Sequence, residues 1–187
     1  MAGAMPQTTP GGYSTWEAVS AMQKAIRRSE EVLAMQWFCE LEGAGLYAVA
    51  ANRLRVTAAE DVGLGDMQAS GYALQCINEA ERFHKAQKGS WRLFIGNAIR
   101  TLSRAEKSRE GDHFQAAARW RLRKSPPEIP DYALDKHTLR GKQMGRGVDH
   151  FMAEGAVLVP EPEPDAYEED AYRQWKAEEQ SKDMFAR

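Results

Sequence analysis

The sequence predicts an all-α protein, a helical bundle followed by a C-terminal extended acidic tail. Three observations predict it. Apolar residues recur at three- and four-residue spacing through most of residues 13–124, the period that lines one face of a helix. Runs of alternating β-branched and polar residues, which mark half-buried strands, do not occur, and residues 157–159 are too few to count. Start and stop residues punctuate the chain at helical intervals. Ser14 and Glu17 have capping-box spacing, in which each side chain satisfies a free backbone N–H of the other.

The first helix follows that box, with Trp16, Val19, Met22 and Ile26 as its apolar stripe. The second, residues 30–41, is apolar on most sides (Val32, Leu33, Met35, Trp37, Phe38, Leu41), the pattern of a helix buried between others. Gly43 and Gly45 end it. The third, residues 46–61, turns Leu46, Val49, Ala50 and Leu54 inward and stops at Gly63 and Gly65. Asp66 is placed to cap a fourth helix, to about residue 88, burying Leu74, Ile77 and Phe83. A fifth starts near Ser90 with Trp91, Ile95, Ala98, Ile99 and Leu102 in one stripe. A sixth, residues 109–124, directs Phe114, Ala117, Ala118 and Leu122 inward, with Arg119, Arg121 and Arg123 around it. The run SPPEIP, residues 125–130, then breaks regular structure.

Residues 1–12 read as a flexible leader, 13–124 as the bundle, 125–159 as a basic, glycine-punctuated segment with one short helix, and 160–187 as a Pro-rich linker and acidic tail. Charge follows these divisions. Residues 88–148 hold 14 Lys/Arg against 6 Asp/Glu, while residues 149–187 hold 4 against 11. A basic middle beside an acidic tail suits either a polyanion partner or a tail that screens the middle. No apolar run approaches the roughly 18 residues that span a bilayer, and the N-terminus has no basic and apolar secretory regions. Cys39 and Cys76 both sit in apolar helical patterns and read as buried thiols. The expectation is a cytoplasmic chain without a membrane partner.

No catalytic constellation is found. There is no phosphate-binding loop, no zinc spacing among His84, His113, His137, His150 and the cysteines, and no nucleophile elbow. The expected non-enzyme therefore takes no cofactor and no metal, with a small enzyme of unrecognised site as an alternative. The best candidate for binding is KHTLRGKQMGRG, residues 136–147. Lys136, Arg140, Lys142 and Arg146 lie within eleven residues, and Gly141 and Gly145 clear one helix face for a backbone. Phosphates attract such cations and accept backbone N–H bonds. Arg119 and Arg123 could extend the patch, although alternate helical positions point apart. The competing reading is that Asp131, Asp135 and Asp149 pair with these cations. In the tail, Tyr167, Tyr172, Trp175, Met184 and Phe185 are candidates for docking onto a partner. The last of them fall in SKDMF, residues 181–185, which resembles the bacterial sliding-clamp peptide in its final three positions.

One stretch raises a problem of its own. ANRLRVTAAEDVGLGD, residues 51–66, puts Glu60 and Asp61 at a helix C-terminus, where the helix dipole disfavours acids by a few tenths to about 1 kcal/mol. Val56 and Thr57 stand four residues earlier, so neither acid has a basic partner within its own helix. Glu60 and Asp61 must therefore meet water or a basic group from elsewhere. An ion pair fixing the Gly63–Gly65 turn is the expectation.

This stretch also carries a resemblance. It is similar to the A-S-E-D-I-G-L-A-D turn in the C-terminal region of the RarA/MgsA family of AAA+ ATPases, relatives of clamp loaders. Ahead of it, KAIRRSEE resembles the family's K-S-I-R-G-S-D; behind it, AEKSR resembles A-P-K-S-N, and order and spacing agree over residues 13–124. The resemblance implies a helical, collar-like module that assembles subunits into a tetramer, without the ATPase domains. It points to a non-catalytic assembly module in DNA replication, repair or recombination. The implied partners are further copies of the chain and an AAA+ ATPase or replication protein; a sliding clamp is suggested separately, by residues 181–185. The alternative is a protein that binds nucleic acid directly through residues 88–148.

Overall fold

A computed structural model describes residues 8–163 and 165–185, with side chains described through residue 181. Among the described residues there is no strand, only an isolated bridge between Thr8 and Ser14. No helix among them is long and apolar enough to cross a membrane. The chain divides into two compact units, Met1–Lys124 and Ser125–Arg187.

The first unit is all-α. Helices α1 (Thr15–Arg27), α2 (Glu31–Gly43), α3 (Tyr47–Thr57), α4 (Met67–Lys85) and α5 (Trp91–Arg104) surround one apolar core. Glu17 accepts the Ser14 N–H at 3.3 Å, so the N-terminus of α1 is closed by its own third residue. Val19, Met22 and Ile26 of α1 are buried, but Trp16 is exposed, because α1 turns Thr15 and Ala18 inward in its place. The α5 stripe of Trp91, Ile95, Ala98, Ile99 and Leu102 is buried without exception. Phe38, Tyr47 and Trp91 pack ring to ring, and His84 stacks on Tyr47 with ring centres 3.9 Å apart.

Four expectations are corrected here. Helix α2 is not enclosed: it buries Ala34, Phe38 and Leu41, while Val32 and Leu33 face outward. Cys39 lies on that outward side and is exposed, whereas Cys76 is buried. The α-helical hydrogen bonding of the third helix ends at Thr57, and Ala58–Val62 form a π-helical turn. The sixth helix, α6 (Glu110–Lys124), buries no residue at all. Phe114 is 74% exposed and Leu122 58% exposed. The periodic stripe on α6 is real, but no part of its own unit covers it.

In the second unit, a short 3-10 turn (Asp131–Ala133) precedes α7 (Leu139–Gln143) and α8 (Val148–His150). A π turn (Phe151–Gly155) follows, and the last helix is α9 (Glu168–Phe185). The acidic tail carries α9 from Glu168.

Candidate functional site

The π turn explains the two acids. Inserting one residue beyond the α-helical repeat re-aims the side chains that follow. The Gly63 N–H reaches back five residues to the Ala58 carbonyl (2.8 Å), which also accepts the Ser70 hydroxyl (2.9 Å). Asp61 is driven inward to 0% exposure. There its carboxylate accepts the Arg27 Nε–H at 2.7 Å and a Gln23 Nε2–H at 2.8 Å. Glu60 stays at the rim, 3.5 Å from the Arg27 guanidinium and 3.2 Å from that of Arg109, and accepts from Gln23 Nε2 at 3.1 Å. Arg53 donates to the Gln23 carbonyl oxygen at 3.2 Å, which orients the amide.

The same turn grips the segment after α5. The Asp61 carbonyl accepts the Ser108 N–H at 3.0 Å. A Cβ on Gly65 would come within 2.9 to 3.0 Å of backbone atoms of Glu106, Lys107 and Ser108, so only glycine allows this approach. Lys107 folds back to donate to the carbonyls of Ser103 (2.9 Å) and Ala105 (2.7 Å). Burial lowers its ammonium pKa, and the charge of Asp61 opposes that shift. Every charge named in this cluster is answered by an opposite charge or a hydrogen bond.

Glu60, Asp61, Gly63 and Gly65 are legible in the sequence as one motif; Gln23, Arg27, Ser108 and Arg109, its other half, are missed by that reading. A signal for them exists. Arg27 stands at the arginine of the K-S-I-R motif, and Lys107 and Ser108 at the lysine and serine of A-P-K-S-N. Three motifs separated in sequence meet at one turn.

In the second unit, part of the basic segment is bound to itself. Thr138 caps α7 by accepting the Gly141 N–H at 3.0 Å. A Cβ on Gly141 would collide with the Asp135 carbonyl oxygen, so the backbone that Gly141 admits belongs to this chain. Gly145 does not share that face; it sits past α7 at φ +71°. Arg146 is held by the carbonyls of Asp131 and Leu134 (both 2.8 Å) and by the Asp131 carboxylate (2.7 and 2.8 Å). The Arg146 guanidinium holds the Asp131 carboxyl below its ordinary pKa.

Helix α9 closes on the same segment. Glu179 accepts the Val148 N–H at 2.8 Å. Asp149 accepts from Lys176 and from the Tyr172 hydroxyl, both at 2.6 Å, and its pKa falls for that reason, Lys176 first. Lys136 lies 5.3 Å from the Phe151 ring centre and 5.8 Å from that of Trp175, a cation over two aromatic faces. A cleft of about 420 Å³ here is lined by Lys136, His137, Lys142, Trp175 and Glu178 among others. Lys136, Arg140 and Lys142 have no carboxylate partner among the described residues, and neither do Arg119 and Arg123 of α6. Tyr167 is exposed, while the side chains of Met184 and Phe185 lie outside the described residues. No group of three His, Cys, Asp or Glu among the described residues could hold a metal ion.

Comparison with known proteins places these features. Replication-associated recombination protein A of Bacillus subtilis (strain 168) is 32% identical over 141 residues, covering 74% of this chain and 32% of that protein. ATPase WRNIP1 of Dictyostelium discoideum is 28% identical over 144 residues, covering 75% of this chain and 16% of that protein. The chain thus spans about a third of the bacterial relative and a smaller share of the other. The profile of the family described as "MgsA AAA+ ATPase C terminal" matches residues 28–185. That match runs beyond residue 124, where the resemblance carried by the motifs ends, and takes in the basic segment and α9. The chain belongs to the MgsA AAA+ ATPase C-terminal family.

Proposed function

We propose that this chain is an assembly module with no chemistry of its own, joining copies of itself within AAA+ machinery that acts in DNA replication, repair or recombination. The observation that carries this reading is α6. Its apolar stripe keeps helical register, yet Phe114 and Leu122, which belong to that stripe, are both more than half exposed. Exposed apolar residues in register on one element mark a surface that is covered in an assembly. The cluster around Asp61 supports the same reading, since the motifs shared with the family build a turn and not a reaction centre. Sedimentation velocity tests it: the expected species is a multiple of the 21.0 kDa chain, four in the tetramer the resemblance implies. A strict monomer across the micromolar range overturns it.

A second reading is favoured by one observation in the second unit. Arg140 and Lys142 have no carboxylate partner among the described residues, and Lys142 lines the cleft that also holds Trp175. Cations beside an aromatic face suit single-stranded nucleic acid. Each phosphate neutralised contributes about −0.7 to the slope of log K against log salt for single strands. Replacing Arg140 and Lys142 together with Ala should therefore make that slope shallower by about 1.4. Binding that is absent at low salt, or a slope the double variant leaves unchanged, removes this reading.

A further inference from the structure

A second unpartnered apolar surface lies in the first unit. Between α2 and α5 runs a groove of about 760 Å³. Val32, Met35 and Cys39 of α2 form one wall; Gly96, Ile99 and Arg100 of α5 form the other. Ile99 is buried, whereas Val32 at the lip is 69% exposed. A Cβ on Gly96 would have no atom within 4 Å, so that wall is low and open. No residue of α6 lines the groove. The protomer therefore presents an apolar helix without a groove and an apolar groove without a helix.

Size and charge match the two. Helix α6 has 15 residues and α2 has 13, lengths of about 22 and 20 Å at 1.5 Å per residue. At the N-terminal end of α2, the carboxylate of Glu31 is shared by two guanidiniums, Arg104 at 2.8 Å and Arg100 at 3.6 Å, so neither arginine has it alone. At its C-terminal end, Glu40 is held, among the described residues, only by neutral donors, the Thr9 hydroxyl (2.9 Å) and the Gly11 N–H, leaving negative charge over. Helix α6 carries the reverse pattern. Its first turn holds Glu110 and Asp112, the latter already paired with Arg109 of the same chain, and its last turn holds Arg121, Arg123 and Lys124. The charges agree when α6 lies in the groove parallel to α2, and oppose one another when it is reversed.

We propose that α6 of one copy seats in the α2–α5 groove of a second copy, parallel to α2. This rests on the assembly reading and names the surfaces that carry it. The contact joins two different patches, so it is head-to-tail, and repetition either closes a ring or extends a filament. Phe114, Ala117, Ala118 and Leu122 face Val32, Met35 and Cys39 of the neighbour.

The test uses Val32→Asp to disable the groove and Phe114→Asp to disable the helix. Both residues are exposed in the protomer, so each variant should keep the wild-type circular dichroism. Each variant alone should self-associate at least about tenfold more weakly than wild type, given the apolar burial lost. A 1:1 mixture retains one intact helix and one intact groove, so a heterodimer should form while each variant alone stays monomeric. Ala118→Cys adds a chemical check: a short bismaleimide should join it to Cys39 of another copy, because Cys76 is buried. Cys39→Ser should abolish that product. An oligomeric wild type whose strength Val32→Asp leaves unchanged, or two monomeric variants whose mixture forms no heterodimer, overturns the proposed contact and leaves the assembly reading standing. A monomeric wild type overturns both.

Discussion

Asp61→Ala is expected to lower the stability of the first unit by about 3 kcal/mol, a fall in melting temperature of about 10 °C. The size follows from what is stranded. Asp61 is fully buried and accepts from Arg27 and Gln23. Removing it takes an acceptor from the buried Gln23 amide and from the Arg27 guanidinium. Truncating one partner of a buried ion pair is destabilising by about 3 to 5 kcal/mol. The lower end applies because Arg27 is a third exposed and keeps Glu60 at 3.5 Å. The Asp61 carbonyl still accepts from Ser108, since that bond belongs to the backbone. Arg27→Ala should cost at least as much, because it leaves the fully buried Asp61 carboxylate with its Gln23 bond but without its guanidinium. Thermal unfolding of both single variants and the double variant completes a cycle, and a coupling of about 1.5 to 3 kcal/mol is expected. A loss below about 1 kcal/mol for Asp61→Ala would mean that the cluster is solvated in solution and does not hold the turn.

What the sequence disclosed depended on whether one segment contained its own explanation. The α5 stripe did: its five apolar positions follow the helical period, and all five are buried. The π turn did not, because one extra residue in a helix has no composition of its own and shows only in where Asp61 ends up. The acids are recognisable as misplaced by the dipole argument, but their partners come from α1 and from the segment after α5, 34 and 49 residues away. Pairing at that range is invisible to (i, i+4) reasoning. Helix α6 shows a different limit. Periodicity identifies a face that needs covering without saying which chain covers it, and the inward assignment of Phe114 and Leu122 assumes the same chain. Among the candidate phosphate contacts, proximity in sequence groups Arg146 with Lys142, yet Asp131, fifteen residues earlier, holds it. Composition counts cations; only the fold shows which of them remain free.

Glycine substitutions should separate the turn from ordinary helix by sign. Gly63 sits at φ +41°, ψ −114°, and a Cβ there would come 2.6 Å from the Ala59 carbonyl oxygen. Alanine must leave that conformation or push its own helix open, and the penalty for such strain is about 1 to 3 kcal/mol. The upper end is expected for Gly63→Ala, because the Gly63 N–H also closes the π turn onto Ala58. A shift of Gly63 would carry Asp61 out of register with Arg27, so its effect should not add to that of Asp61→Ala. Gly71 is the control. It lies within α4, exposed, and a methyl group at its Cα would have no neighbouring atom within 4 Å. Gly71→Ala should therefore stabilise by about 0.5 to 1 kcal/mol, through the entropy removed from the unfolded chain. Chemical denaturation reads both variants on one scale. Opposite signs locate the constraint in the turn's backbone geometry, whereas equal, small effects at the two positions would show that the turn tolerates a side chain and that the motif's glycines serve another purpose.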